Sequence, residues 1–143
     1  MSSYRTIKLK KYQDIINEYP AGAAITPGSL LSVNSDGEVV VNATAGGPTA
    51  GMFALEDELQ GKTTRQAYAE GDPVQCWNVQ PGEEVLALID SGFDPDVGAI
   101  LEPSTGGQLR AYDSGIGPLF QVIAPKIEDD AETPNHRVAV RRV

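Results

Sequence analysis

Apolar residues in this chain come in short runs broken by glycine, proline and polar turns, and they predict strands rather than helices. Two stretches share one skeleton. In Ile25-Thr26-Pro27-Gly28-Ser29-Leu30-Leu31-Ser32-Val33-Asn34-Ser35-Asp36-Gly37-Glu38-Val39 and Val97-Gly98-Ala99-Ile100-Leu101-Glu102-Pro103-Ser104-Thr105-Gly106-Gly107-Gln108-Leu109, Gly28 matches Gly98, Leu30-Leu31 matches Ile100-Leu101, and Gly37 matches Gly107. Each copy predicts turn, short strand, tight glycine turn and short strand, because glycine accepts positive φ and the flanking aliphatics suit a pleat. In the first copy Asp36-Gly37 makes the turn and residues 39–41 the return strand. Residues 51–55 and 118–123 also resemble one another, so the repeat extends past the hairpin. The pattern predicts a small all-β body of two related halves.

Other segments fill in around these copies. Residues 74–79 and 84–89 flank Pro81-Gly82, where proline presets φ and Gly82 takes the positive φ of a type II turn, so a hairpin is predicted there. Residues 42–50 read as a loop. Residues 56–71 have no clear period and read as an irregular excursion, with room for a helical turn at 64–69. A last strand covers 137–143, with Val138, Val140 and Arg142 opposite Ala139 and Arg141. Residues 1–20 carry no turn signal before Tyr19-Pro20, and Ile7 and Leu9 alternate with Lys8 and Lys10. That segment reads as an extended N-terminal arm suited to adding a strand to another subunit, attached to a single β domain at 21–143.

Composition sharpens this picture. Fifteen glycines and ten prolines leave little room for helix, and a 6% aromatic share predicts a thin core of Val, Leu, Ile and Ala, part of whose apolar surface a partner subunit would cover. At 143 residues the chain is long enough for one domain with a real core. The net charge of −9 argues against nucleic-acid binding, which needs clustered cations. The charge is unevenly placed: Arg5, Lys8, Lys10 and Lys11 give the first thirteen residues four cations and no acid, leaving seven cations against twenty acids in the rest. Such an arm reads either as a solvated tail or as a segment that docks on an acidic neighbour. The lone Cys76 forms no intrachain disulfide, which suits a reducing compartment, and no signal-like apolar run follows the basic start. The aliphatic run at 85–89 is too short to span a bilayer.

The chain holds no recognisable catalytic or metal motif, so no enzyme activity, cofactor or metal is expected. Cys76 sits in an apolar strand as a small core residue, and His136 follows Pro134-Asn135 in what reads as a solvated loop. Asp90, Asp94 and Asp96 lie close around Gly92, yet the spacing lacks the remaining ligands of a calcium loop and reads as a turn. Glu56-Asp57-Glu58 and the linker Glu128-Asp129-Asp130-Ala131-Glu132 read as solvated acidic runs. Trp77 is a core plug or an interface anchor, with core favoured.

At Ala54-Leu55-Glu56-Asp57-Glu58-Leu59-Gln60-Gly61-Lys62, Tyr68-Ala69-Glu70-Gly71-Asp72-Pro73-Val74, Gln80-Pro81-Gly82-Glu83-Glu84-Val85-Leu86-Ala87-Leu88-Ile89 and the two glycine hairpins, the chain resembles capsid decoration proteins of tailed bacteriophages, also called head-stabilising or cement proteins. The likeness covers roughly residues 20 to 125. It implies a small β-barrel or β-tulip protein, made in the host cytoplasm, that trimerises on the capsid exterior and clamps neighbouring major capsid protein subunits without enzymatic activity. Arg5, Ile7, Lys8, Leu9, Lys10 and Lys11 are then the candidate capsid or subunit contacts, and Gly28, Gly37, Gly82, Gly98 and Gly107 the structural turns. A carbohydrate-binding or host-adhesion β module is the alternative. It wants an exposed aromatic platform, which nine aromatics with one tryptophan make a weaker fit.

Overall fold

A computed structural model describes residues 6–47, 49–64, 66–90, 92–126 and 135–143. Arg5 and the acidic linker from Glu128 lie outside the described residues. The strands are β1 (Lys8–Lys10), β2 (Ile16–Pro20), β3 (Leu30–Val33), β4 (Val39–Val41), β5 (Met52–Ala54), β6 (Pro73–Asn78), β7 (Glu84–Asp90), β8 (Ile100–Pro103), β9 (Leu109–Ala111), β10 (Phe120–Val122) and β11 (Asn135–Arg142). Helix is confined, among the described residues, to 3₁₀ turns at Glu58–Gln60 and Thr105–Gly107. The protein is all-β.

Ten of these strands form two five-stranded units with one topology, and β1 adds to the edge of the second. The first runs β2-β6-β5-β3-β4 and the second β7-β11-β10-β8-β9. Each is closed by a single parallel bridge, Ala21 to Val39 in the first and Ile89 to Leu109 in the second, which makes the second a small closed barrel. The copies agree residue by residue. Leu31 opposite Met52 becomes Leu101 opposite Phe120, and Ser32 opposite Val40 becomes Glu102 opposite Arg110. Gly28 N donates to Ala54 O at 2.8 Å, and Gly98 N to Val122 O at 2.8 Å. The paired glycines repeat their geometry, with φ of 93° and 94° at Gly28 and Gly98 and 78° and 77° at Gly37 and Gly107.

One expected element is different. The Pro81-Gly82 turn forms, with Glu83 N donating to Gln80 O at 3.0 Å and Gly82 at φ 91°, but the strands on either side of it are not a hairpin. β6 lies between β2 and β5 in the first unit, while β7 pairs with β11, β1 and β9 in the second. With both edges of β6 occupied, β7 cannot pair with it, and the turn serves as the link between the halves. The excursion after β5 is irregular, with no helix at its described positions between 64 and 69. It is held by Tyr68, which is buried, bridges to Ile25 and donates its hydroxyl to Leu55 O at 2.7 Å.

Two apolar clusters make the core. Leu31, Val39, Met52, Val74 and Cys76 fill the first unit. The larger cluster joins the interior of the second unit, including Ile89, Leu101, Phe120 and Val140, to the opposite face of the first unit's sheet, where Leu30, Phe53, Trp77 and Val79 project. Phe53 meets Phe120 edge to face at 5.5 Å, an arrangement worth about 0.5–1.5 kcal/mol beyond the area it buries. The halves are therefore alike in topology but pack head to tail: one face of the first is covered by the second.

The N-terminal segment is laid on its own body. β1 takes the edge of β7 at Val85 and Glu84, β2 is a full member of the first unit, and Ile7 is completely buried. Burial of Ile7 and ladder pairing of β2 together explain why residues 7–20 are fixed there: each removes apolar surface or backbone polar groups from water.

Candidate interaction surfaces

Two glutamates hold the N-terminal segment in place. Glu83 is fully buried, and its Oε2 accepts from Tyr12 N at 2.7 Å and Gln13 N at 2.9 Å, while Oε1 accepts from Gln80 N at 2.7 Å. Glu56 accepts from Ile7 N at 2.9 Å. Carboxylates are the strongest acceptors for otherwise unpaired backbone N–H groups, so each of these side chains acts as a substitute ladder where no strand is available. The segment's own cations are largely engaged. Lys8 and Lys11 both bind Asp14, at 3.1 and 2.9 Å, and Lys10 stands 5.8 Å from the Tyr12 ring centre. The Lys11 and Lys8 ammonium groups hold the Asp14 carboxyl below its ordinary value. Beside them lies a shallow groove of about 230 Å³ lined by Thr6, Lys8, Leu9, Lys10, Lys11 and Glu56. β1 ends its sheet, and no strand of the described residues pairs with its outer edge.

A second set of buried polar groups ties the halves together. Glu102 is completely buried and accepts from Arg110 Nε at 2.7 Å, Asp113 N at 3.1 Å and Gly115 N at 2.8 Å. Burial alone would raise its pKa, but the hydrogen bonds from Asp113, Arg110 and Gly115 outweigh that and bring it below the ordinary glutamate value. This carboxylate fixes the loop after β9, whose Ile116 N donates to Gly46 O at 2.9 Å. The Arg137 guanidinium, also buried, donates to Pro27 O at 3.0 Å and Thr64 O at 2.5 Å, and so binds β11 to the first half.

The remaining candidates fall in varied places. Cys76 is buried in the first unit's core, and burial pushes its thiol up to about 12. His136 is not in a solvated loop. It lies within β11 opposite Ile89, with Nδ1 buried and without a hydrogen-bond partner among the described residues, because the final strand begins two residues earlier than its apolar pattern indicates. Cys76 and His136 stand in different sheets. Asp90, Asp94 and Asp96 are exposed, and no group of three or more metal-ligating side chains occurs among the described residues. Trp77 is wholly buried. Glu83, Glu56, Glu102 and Arg137 had no signal strong enough to single them out, with one exception: Glu102 interrupts an aliphatic strand and faces Arg110 across the hairpin, an opposite-charge pair readable from the glycine-turn register.

The two halves differ most in what they expose. Val97, Tyr112, Ile116 and Val143 are 59%, 49%, 82% and 65% exposed. The first-half positions matching Val97, Tyr112 and Val143 are Pro27, Asn42 and Val79, and all three are buried. Where the covered face has Phe53 opposite Trp77 at its centre, the uncovered one has Gln121 opposite Arg141. No family model matches the chain, and no curated protein is similar enough to count as a relative.

Proposed function

We propose that this protein is a capsid decoration protein of a tailed bacteriophage, a virion component that binds the outside of the head as a homotrimer and holds major capsid protein subunits together. The observation that carries the reading is β1. It is a lysine-bearing strand at the end of its sheet, unpaired along its outer edge among the described residues, with Lys10 and Lys11 exposed, on a body whose buried Glu56, Glu83 and Glu102 are taken up by internal hydrogen bonds. An open edge beside a cationic stretch can accept an extended strand from an acidic neighbour, with main-chain bonds supplying affinity and lysines the attraction. The resemblance to decoration proteins and the all-β scaffold both favour this use. Many modest contacts repeated over a shell suffice, since attachment through several linked sites far exceeds any one of them. The burial of Trp77 takes away the tryptophan that a sugar-binding platform would use.

Incubating purified protein with expanded, undecorated heads tests the reading. Saturable binding at a fixed number of copies per head, with heads made more resistant to heat, is expected. Heads that stay bare at saturating protein would overturn it. Reversing Lys10 and Lys11 to glutamate should weaken attachment and change its salt dependence, whereas unchanged occupancy would remove β1 from the contact.

A further inference from the structure

We infer that a second copy of this chain seats the turn of its first hairpin, residues 34–37, on the uncovered outer face of the second half around Tyr112, repeating between chains the contact that already joins the two halves within one chain. This does not depend on the capsid reading.

The intrachain contact is head to tail. The β8–β9 turn of the second half sits against β3 and β4 of the first: Gly107 N donates to Asn42 O at 3.0 Å, and Asn42 Nδ2 donates to Ser104 O at 3.1 Å. A Cβ at Gly107 would lie 3.0 Å from Val41 Cβ and 3.1 Å from Leu30 O, so the turn is closely seated. Because the contact joins unlike surfaces, it leaves one of each unused. The tip of the equivalent turn of the first half is open: Ser35, Asp36 and Gly37 are exposed, and among the described residues nothing beyond its chain neighbours lies within 4 Å of a Cβ at Gly37. On the equivalent receiving face, Ala99, Ile100, Ala111 and Tyr112 stand in place of Ser29, Leu30, Val41 and Asn42; Ala111 and Tyr112 are exposed and Ala99 and Ile100 half-buried among the described residues. A contact between unlike surfaces that leaves one copy of each open propagates to further molecules and closes into a ring when the rotation allows.

The side chains fit a contact between soluble chains. Val33, beside the free turn, is 47% exposed, whereas its counterpart Pro103 is buried and accepts from Gly46 N. Ile116 follows Tyr112 by four residues, as Gly46 follows Asn42, and its exposure supplies an apolar partner on the receiving side. Aromatic bulk is missing at the centre, where Gln121 and Arg141 replace Phe53 and Trp77. One bond is also not repeated, because Pro20 stands where Leu88 donates to Gly28 O at 3.1 Å. The interchain contact is therefore the weaker version, suited to subunits that fold alone and then assemble.

The test uses Ser35→Cys and Tyr112→Cys, both at exposed positions, in chains whose Cys76 is buried. An equal mixture treated with a short bismaleimide at micromolar protein should give covalent dimers, and neither variant alone should do so beyond wild type. Dimers from either variant alone at the level of the mixture, or none from the mixture, would overturn the contact. Light scattering is the second readout: wild type should be oligomeric and Tyr112→Asp should lose that association, whereas an unchanged mass would overturn the inference. Head binding by the same wild type bears on the capsid reading alone, so cross-linking as expected with heads left bare would support this contact and reject that function.

Discussion

Gly37 and Gly107 have the same φ to within a degree, yet they sit in different surroundings. A side chain at either costs backbone strain of about 1–3 kcal/mol. At Gly107 a Cβ also meets Val41 Cβ at 3.0 Å and Leu30 O at 3.1 Å, whereas the space around Gly37 is open. Gly107→Ala should thus destabilise more than Gly37→Ala in urea unfolding, and equal losses would show that the seating of the turn contributes nothing. Glu102 makes a second prediction at this scale. Its folded pKa lies below the ordinary 4.5, so its stabilising effect is fully present above that value and is lost as pH falls through the folded one. Wild type should lose stability on acidification below about pH 4.5, and Glu102→Gln should flatten that limb while lowering stability at neutral pH. An unchanged acid limb in the variant would remove Glu102 as its source.

At the scale of the element, the N-terminal segment is a strand and a latch. Removing residues 2–13 would uncover the β7 edge at Val85, take Ile7 out of the core, strip Glu56 of the Ile7 N–H and leave Glu83 with only the Gln80 N–H of its three backbone donors. A buried carboxylate left without partners costs more than a lost surface contact. The truncated chain is expected to melt well below wild type, and an unchanged melting temperature would show the segment to be a tail. Glu83→Ala isolates the latch: it strands the N–H groups of Tyr12, Gln13 and Gln80, at about 1–3 kcal/mol for each one that water cannot reach. Limited proteolysis should then cut within residues 8–14 faster than in wild type. The Pro81-Gly82 turn shows why the element scale resists sequence reading. Its residues specify the local bend correctly, but whether the flanking strands pair depends on which edges other strands already occupy, and β6 is bordered by β2 and β5.

For the whole molecule, the larger apolar cluster crosses between halves, with Phe53 and Trp77 from the first and Phe120 and Val140 from the second. Neither half has its full core alone, so residues 80–143 expressed separately should show no cooperative thermal transition, although each half has the strands of a complete unit. A sharp transition in that fragment would mean that the halves are independent. The all-β class, the duplication and its turns followed from the sequence by itself, because glycine positions and the alternation of apolar residues are local properties that a short stretch of chain enforces. The identity of the repeating unit was legible only in part: the hairpins and the strands at 51–55 and 118–123 could be matched, whereas β2 and β7, the ring partners that close each unit, share no pattern. Tertiary structure alone decided which face of each half is covered, that residues 7–20 are built into the body, and that Glu83, Glu56 and Glu102 are buried acceptors. Those outcomes depend on backbone groups and edges brought together across long stretches of chain, 71 residues from Tyr12 to Glu83 and 110 from Pro27 to Arg137, and no local pattern encodes what will be left unpaired until the sheets have closed.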